Sequence, residues 1–212
     1  MKSSHVIVLP GGGYAMLSDN EGEVVAERLR SFGLSADVFA YPVRTRHPGP
    51  LDAVRAEIRR VRAAGADRVA LLGFSAGGHL AGHAAFAPGA PDDRVDAALL
   101  GYPVVSMELA THRGSQDELL GPDAGGALRA ATSLDRLVTA DAPPVFLWHT
   151  AADEDVPVEH AYRLGLALTA NAVPHALHVF EEGEHGLGLA DGQGAAGQWS
   201  SLAAAWLQAR GW

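Results

Sequence analysis

A glycine-flanked serine constrains the fold of this chain more than any other feature. The pentapeptide G-F-S-A-G at residues 73–77 follows an apolar run at 69–72 and precedes a run of small, helix-compatible residues at 78–81. A strained turn between a strand and a helix lifts a serine hydroxyl clear of the sheet, and only glycine fits two positions before and after it. The pattern therefore predicts that Ser75 is a nucleophile at the end of a strand.

The other two groups that a serine nucleophile needs follow downstream. A strand-like run at 144–149 leads into a loop with Asp153, and the next such run, at 175–180, leads into a loop with His185. The histidine would take the serine proton and return it to the leaving alcohol, while the aspartate would fix the imidazole tautomer. The chain order Ser75, Asp153, His185 is that of the α/β-hydrolases and not of trypsin-like or subtilisin-like enzymes.

Asp155 competes with Asp153 for the role of the acid. Asp153 comes earlier in the loop and so lies closer to the strand end. Asp155 stands next to Val156 and Pro157, where the chain should already be turning into a helix. We therefore predict Asp153 and keep Asp155 as the alternative.

A glycine-rich loop near the N-terminus predicts the donors of an oxyanion hole. The strand-like run at 5–9 continues into P-G-G-G-Y at 10–14, where three glycines leave backbone N–H groups accessible. We expect Gly12 and Gly13 to supply two donors, together with Ala76, the residue after the nucleophile.

Nucleotide and metal sites fit the sequence less well. A dinucleotide fingerprint would need glycine in place of Met16, and the next strand-like run ends on Tyr41 and not on an acid. The ten histidines include no H-E-x-x-H, and His175 and His178 should point to opposite faces of one strand. The sequence therefore predicts neither a cofactor nor a metal.

Alternating strand and helix patterns predict the fold class. Since parallel strands need helical crossovers, this alternation indicates an α/β fold with a mostly parallel sheet of about six strands flanked by helices. One domain is expected over residues 1–212, with an insertion at about 104–142 over the rim of the site. The strands are expected near 5–9, 36–41, 69–73, 97–102, 144–149 and 175–180, and the helices near 21–32, 51–64, 76–86, 115–120, 124–138, 158–171 and 199–210.

Composition narrows the function classes further. With 212 residues, 48% of them hydrophobic, the chain can bury a core without disulfides. The absence of cysteine excludes a thiol nucleophile and a thiolate metal site. The formal charge of −9 argues against a nucleic-acid partner. No apolar stretch suits a signal peptide or a membrane span, so we expect no membrane partner and a cytoplasmic location.

The motifs as a set resemble the acetylxylan-esterase-like branch of the α/β-hydrolases, which is close to the hormone-sensitive-lipase-like carboxylesterases. The resemblance runs through nearly the whole chain and implies hydrolysis of short acyl esters, with acetylated sugars as the leading substrates. The motifs are L-P-G-G-G-Y at 9–14, L-S-D-N-E-G at 17–22, G-F-S-A-G-G-H-L at 73–80, W-H-T-A at 148–151 followed by Asp153, V-P-V-E at 156–159, and H-G-L at 185–187.

The sequence departs from this branch in two places. Pro10 stands where many members have the histidine of H-G-G-G, and the sequence begins at the strand that feeds the glycine loop, where usual members first have a β-hairpin. The second departure bears on how complete the sheet is and leaves a homodimer open. A serine peptidase or thioesterase on the same fold, or a non-catalytic binding protein, remain the alternatives to an esterase that acts on a small acyl ester.

Overall fold

One six-stranded sheet organises the chain, of which the computed structural model describes residues 3–109 and 111–212. The strands are β1 (Ser4–Leu9), β2 (Ala36–Val38), β3 (Arg68–Phe74), β4 (Ala97–Gly101), β5 (Val145–Thr150) and β6 (His175–Phe180). They are all parallel, in the order β2-β1-β3-β4-β5-β6. The direction in which strands are added reverses at β1, so the carboxyl ends of β1 and β3 flank a switch point, where such sheets bind ligands.

Helices cover both faces of the sheet. They are α1 (Glu23–Ser31), α2 (Gly49–Ala63), α3 (Ser75–Phe86), α4 (Arg113–Leu120), α5 (Gly126–Ala131), α6 (Leu134–Leu137), α7 (Glu159–Ala170) and α8 (Trp199–Gln208). Because side chains alternate along a strand, Ile7 and Leu9 face the core shared with α2, α3 and α7, whereas Val6 and Val8 face the core shared with α1 and α8. The predicted fold class is therefore confirmed.

Two predicted elements were wrong in length. The strand expected at 36–41 ends at Val38, because the N–H of Tyr41 bonds to Phe39 O at 3.0 Å in a turn. The turn directs the Tyr41 hydroxyl to Pro10 O, 2.7 Å away, so this segment supports the glycine loop.

The single helix expected at 124–138 is two helices, α5 and α6. The hydroxyls of Thr132 and Ser133 bond back to carbonyl oxygens of α5, and the N–H of Leu134 leaves the helix to bond to Val105 O at 2.8 Å. Serine and threonine side chains compete in this way with helical backbone bonds.

The predicted insertion contributes α4 and α6 to the core shared with α2, α3 and α7. Its helix α6 packs against α3 and α7, and a Cβ at Gly82 of α3 would overlap Leu134. In residues 3–109 and 111–212 no helix is both long and apolar enough to span a bilayer. The single-domain organisation, the cytoplasmic location and the homodimer stay predictions.

Candidate active site

Ser75 lies at a tight turn between β3 and α3. Its φ of 50° is a left-handed conformation that side chains rarely adopt, which indicates local strain. A Cβ at Gly73 would overlap the carbonyl oxygen of Gly77, and a Cβ at Gly77 would overlap that of Leu9. The glycines therefore let α3 start directly against the end of β1.

The structure brings the three predicted catalytic residues into one hydrogen-bonded chain. Ser75 Oγ lies 2.8 Å from His185 Nε2, and His185 Nδ1 lies 2.6 Å from Asp153 Oδ2. The other carboxylate oxygen of Asp153 accepts backbone N–H bonds from Asp155 at 3.0 Å and Val156 at 2.9 Å. Asp155 thus takes part only through its backbone, and its side chain is exposed.

The electrostatics suit an ionised aspartate beside a proton-accepting histidine. Burial opposes charge on Asp153, but the hydrogen bonds from His185 and from the Val156 N–H outweigh it and hold the pKa of Asp153 below its usual value. The ionised carboxylate orients His185 with its proton on Nδ1. Nε2 is then free to accept the proton of Ser75.

A second histidine, His149, stands behind the aspartate. Its ring is fully buried, with Nδ1 4.0 Å from Asp153 Oδ2. Burial lowers the pKa of His149 to about 4, so the ring is neutral near pH 7. It therefore packs against Asp153 without competing with His185 as a cation.

The glycine loop curls back on itself beside Ser75. Gly12 has φ 113° and Gly13 φ 65°, and Gly12 O accepts bonds from the N–H groups of Ala15 and Met16 at 3.1 Å. A Cβ at Gly12 would overlap the backbone of Met16. The positive φ values and the close approach explain why this loop requires glycine.

The three residues predicted as oxyanion donors lie beside the serine, in the wall of its cavity or next to it in the chain. Gly12 and Gly13 line the cavity that contains Ser75, and within the described part of the chain no protein group accepts their N–H bonds. Ala76 is the second residue of α3, where an N–H has no partner within its own helix. The N–H of Gly11, by contrast, is already bound to Glu21 Oε2 at 2.7 Å.

Glu21 and Tyr102 belong to the site although no sequence pattern predicts a role for either residue. Glu21 is 2% exposed, lines the cavity, and accepts the hydroxyl of Tyr102 at 2.6 Å. Burial raises the pKa of Glu21, with the bonds from Tyr102 and Gly11 acting in the opposite direction. The two residues are 81 positions apart, so their pairing left no local pattern to recognise.

His79 connects the glycine loop to the insertion. Its Nε2 lies 2.8 Å from Thr132 O and its Nδ1 2.7 Å from the hydroxyl of Tyr14. Because a carbonyl can only accept, Nε2 carries the proton and Nδ1 accepts from Tyr14. Burial lowers the pKa of His79 to about 4 and keeps this neutral tautomer near pH 7.

The cavity around Ser75 has a volume of about 360 Å³. A larger cavity of about 500 Å³ lies between the end of α3 and residues 139–143, but none of the predicted catalytic or oxyanion residues lines it. Within the described residues no cluster of histidine and carboxylate side chains could hold a metal. The smaller cavity is lined by Gly12, Gly13, Ala15, Met16, Ser18, Glu21, Ser75, His112, Gly114, Glu118, His185 and Gly186.

Comparison with known proteins shows that the chain is similar to hydrolases. The model of the prolyl oligopeptidase family matches residues 51–210. The crystal structure of an acetyl ester-xyloside bifunctional hydrolase from Caldicellulosiruptor lactoaceticus is 38% identical, with a TM-score of 0.93 over 99% of this chain and 84% of that chain.

Two curated proteins are similar over most of the sequence. Endo-1,4-beta-xylanase B of Butyrivibrio fibrisolvens is 32% identical over 221 residues, which cover 94% of this chain and 35% of the relative. An acetylxylan esterase of Xylanibacter ruminicola is 29% identical over 203 residues, which cover 87% of this chain and 41% of the relative. The chain thus spans about two fifths or less of the length of these relatives.

Proposed function

The chain belongs to the prolyl oligopeptidase family of α/β-hydrolases, and within this family we propose that it is a serine carboxylesterase for short acyl esters. The observation that carries the proposal is the chain of hydrogen bonds from Asp153 through His185 to Ser75, at 2.6 and 2.8 Å. It lies at a strained elbow beside a cavity, which is the arrangement that acyl transfer by serine requires.

The proposed reaction has two halves. In the first, His185 Nε2 takes the proton of Ser75 as Oγ bonds to the acyl carbon, and the tetrahedral intermediate collapses as the protonated histidine gives that proton to the leaving alcohol. In the second, His185 takes a proton from water, whose oxygen attacks the acyl-enzyme. Collapse of this second intermediate releases the acid and returns the proton to Ser75 Oγ.

The proposed oxyanion hole acts in both halves. The N–H groups of Gly12, Gly13 and Ala76 would bind the negative oxygen that forms when either nucleophile adds to the carbonyl. Donors that are fixed before the reaction stabilise this charge without reorganising, and one such donor is worth about 10²- to 10³-fold in kcat. The backbone turn at Gly12 supports this role, because the close approach of Met16 leaves the loop no room for a Cβ there.

Acetylated sugars are the substrates that we propose for this site. Two relatives support them by name, the acetyl ester-xyloside hydrolase and the acetylxylan esterase. A cavity of about 360 Å³ lies at the lower end of the range of small-ligand pockets. His112 and Glu118 of the insertion bring polar groups to its wall, as recognition of hydroxyl groups would require.

Peptide hydrolysis is the second candidate, and the description of the matched family favours it. The test compares acetylated xylo-oligosaccharides and 4-nitrophenyl acetate with a proline-containing peptide 4-nitroanilide, using the full chain and the Ser75→Ala variant. We expect Ser75-dependent hydrolysis of the two acetyl esters and none of the amide. Cleavage of the amide in preference to the esters would favour the peptidase, and ester hydrolysis that survives Ser75→Ala would contradict the proposed mechanism.

A further inference from the structure

Glu21 is a buried carboxylate that the proposed reaction leaves unused. Glu21 is 2% exposed and lies between the glycine loop and α1, in the wall of the cavity that contains Ser75. A carboxylate removed from water this far needs partners for both oxygens, because an unpaired buried charge is costly. Both oxygens have a partner. Oε2 accepts a hydrogen bond from the N–H of Gly11 at 2.7 Å, and Oε1 accepts one from the hydroxyl of Tyr102 at 2.6 Å.

Tyr102 extends this connection to the loop that carries the histidine. Its hydroxyl oxygen also accepts the N–H of Gly188 at 2.8 Å, three residues after His185. Its ring packs edge-on against the imidazole, with the ring centroids 5.1 Å apart. Tyr102 has φ 34°, so the chain leaves β4 in a conformation that is unfavourable for tyrosine and that directs this ring to the site.

The residue before Glu21 holds the same loop at another point. The side-chain amide of Asn20 donates to Gly186 O at 2.8 Å, directly after His185 and two residues before Gly188, the partner of Tyr102. A Cβ at Gly188 would overlap the backbone of Asn20, so the two loops are in direct backbone contact. The histidine loop is therefore fixed against the Asn20–Glu21 turn and not only by Asp153.

We propose that Glu21 is a positioning residue that fixes the oxyanion loop and the histidine loop relative to each other. It holds the first through Gly11 and the second through Tyr102. The inference rests on the proposed esterase function, because only then must donors and base keep a fixed separation across Ser75. A displacement of about 1 Å between such groups is enough to cost about 10²-fold in rate.

The contacts favour the ionised form of Glu21, whereas burial raises its pKa. Both oxygens accept a hydrogen bond, from the N–H of Gly11 and from the hydroxyl of Tyr102, and an ionised carboxylate accepts such bonds most strongly. Glutamine has nearly the same size, but its amide nitrogen would face one of these donors. Glu21→Gln therefore breaks one half of the connection while leaving the volume of the core unchanged.

The test measures kcat and KM of Glu21→Gln and Tyr102→Phe in the full chain, with active sites counted by covalent labelling with a fluorophosphonate to completion. We expect kcat per active site to fall about 10²-fold in each variant, with KM within about 3-fold of wild type. The double variant should lose less than the product of the two single losses, because both substitutions break one connection.

Asp93→Asn is the matched control. Asp93 is also a buried carboxylate, 7% exposed, which accepts the N–H of Ala90 at 3.1 Å and pairs with Arg59, and it lies outside the cavity of Ser75. The control should lower Tm and leave kcat per active site within about 3-fold of wild type. It separates a loss of stability from a loss of positioning.

The inference is overturned if Glu21→Gln and Tyr102→Phe lower Tm as the control does and keep kcat per active site within about 3-fold of wild type. Should Glu21→Gln fail to fold, Tyr102→Phe decides alone on the same criterion. Failure of the proposed esterase function is detected separately, by measurements on the wild type and on Ser75→Ala. The wild type would then not hydrolyse the acetyl ester, or Ser75→Ala would keep the esterase activity, and either result overturns both proposals.

Discussion

The floor and the roof of the candidate site are held in place by different means. The floor, residues 9–14 and 73–77, is set mainly by backbone contact: glycines with no room for a Cβ, and a Ser75 with φ 50°. The side chains of Glu21 and Tyr41 add bonds to Gly11 N and Pro10 O. The roof, residues 104–142, is held mainly by side-chain bonds, beside the backbone bond from Leu134 N–H to Val105 O. Ser133 Oγ accepts the N–H of Met107 at 2.9 Å, and the Gln116 amide donates to Met107 O at 2.6 Å.

This difference indicates how the two regions can vary. A change in the floor must move backbone, and with it the serine and the oxyanion donors. The roof presents side chains to the cavity, among them the exposed His112 and the half-buried Glu118, and these can be exchanged without moving the floor. We therefore expect the floor to determine the chemistry and the roof to determine which ester enters.

The largest effect should come from the nucleophile in the floor. Ser75→Ala removes the attacking oxygen and a few atoms only, so we expect kcat to fall about 10⁶-fold while the fold is kept. Hydrolysis of 4-nitrophenyl acetate together with the Tm checks both parts. If Ser75→Ala kept its activity, neither Ser75 nor the rest of the floor could be the site of the reaction.

The next effect separates the two candidate acids. Asp153→Asn leaves a group of the same shape but an imidazole without its charged partner, so we expect kcat to fall roughly 10⁴-fold. Asp155→Asn is the matched control and should stay within about 3-fold of wild type, because only its backbone bonds to Asp153. The reverse order of the two losses would show that the acid is wrongly assigned.

A glycine pair compares the rigidity of floor and roof directly. Gly77→Ala places a Cβ against the backbone of Leu9 and Pro10, whereas nothing lies within 4 Å of a Cβ at Gly126 in the roof. We expect the first change to lower the free energy of unfolding by about 3 kcal/mol or more. Gly126→Ala should change it by no more than about 1 kcal/mol. Urea unfolding of both variants tests this, and equal losses would contradict the proposed difference.

Acyl-chain length tests the roof. A shallow acyl pocket cannot bury a longer chain, and each methylene left in water forgoes about 0.8 kcal/mol of binding. We expect kcat/KM to fall steeply from acetyl to butyryl to octanoyl esters of 4-nitrophenol. Rates that stay level or rise toward eight carbons would indicate a long groove, built by the roof or by a partner subunit.

Local patterns in the sequence were enough to predict the fold and most of the candidate site. The turn at Ser75 needs glycine at fixed spacing, so the pentapeptide at 73–77 predicts the local conformation. The periods of the strand and helix patterns predict the α/β fold and the place of this turn at the end of a strand. The relatives confirm the resemblance to acetylxylan-esterase-like α/β-hydrolases. The catalytic and oxyanion roles of the six named site residues stay predictions.

What the sequence could not provide depends on contacts between distant segments. Tyr41 looks like the last residue of a strand, but its hydroxyl bonds to Pro10 O in the completed fold. The helix expected at 124–138 breaks where Leu134 bonds to Val105. Glu21 pairs with Tyr102 across 81 residues. In each case tertiary structure decides between options that are locally similar in energy.

Covalent labelling tests whether Ser75, activated by His185, is the nucleophile. The wild-type chain is treated with a fluorophosphonate and the modified peptide is identified by mass spectrometry. We expect one phosphonyl group on the peptide that contains Ser75, formed at the rate at which esterase activity is lost, and much slower labelling in the Asp153→Asn variant. A label on any other residue, or full esterase activity after Ser75 is modified, would contradict this assignment.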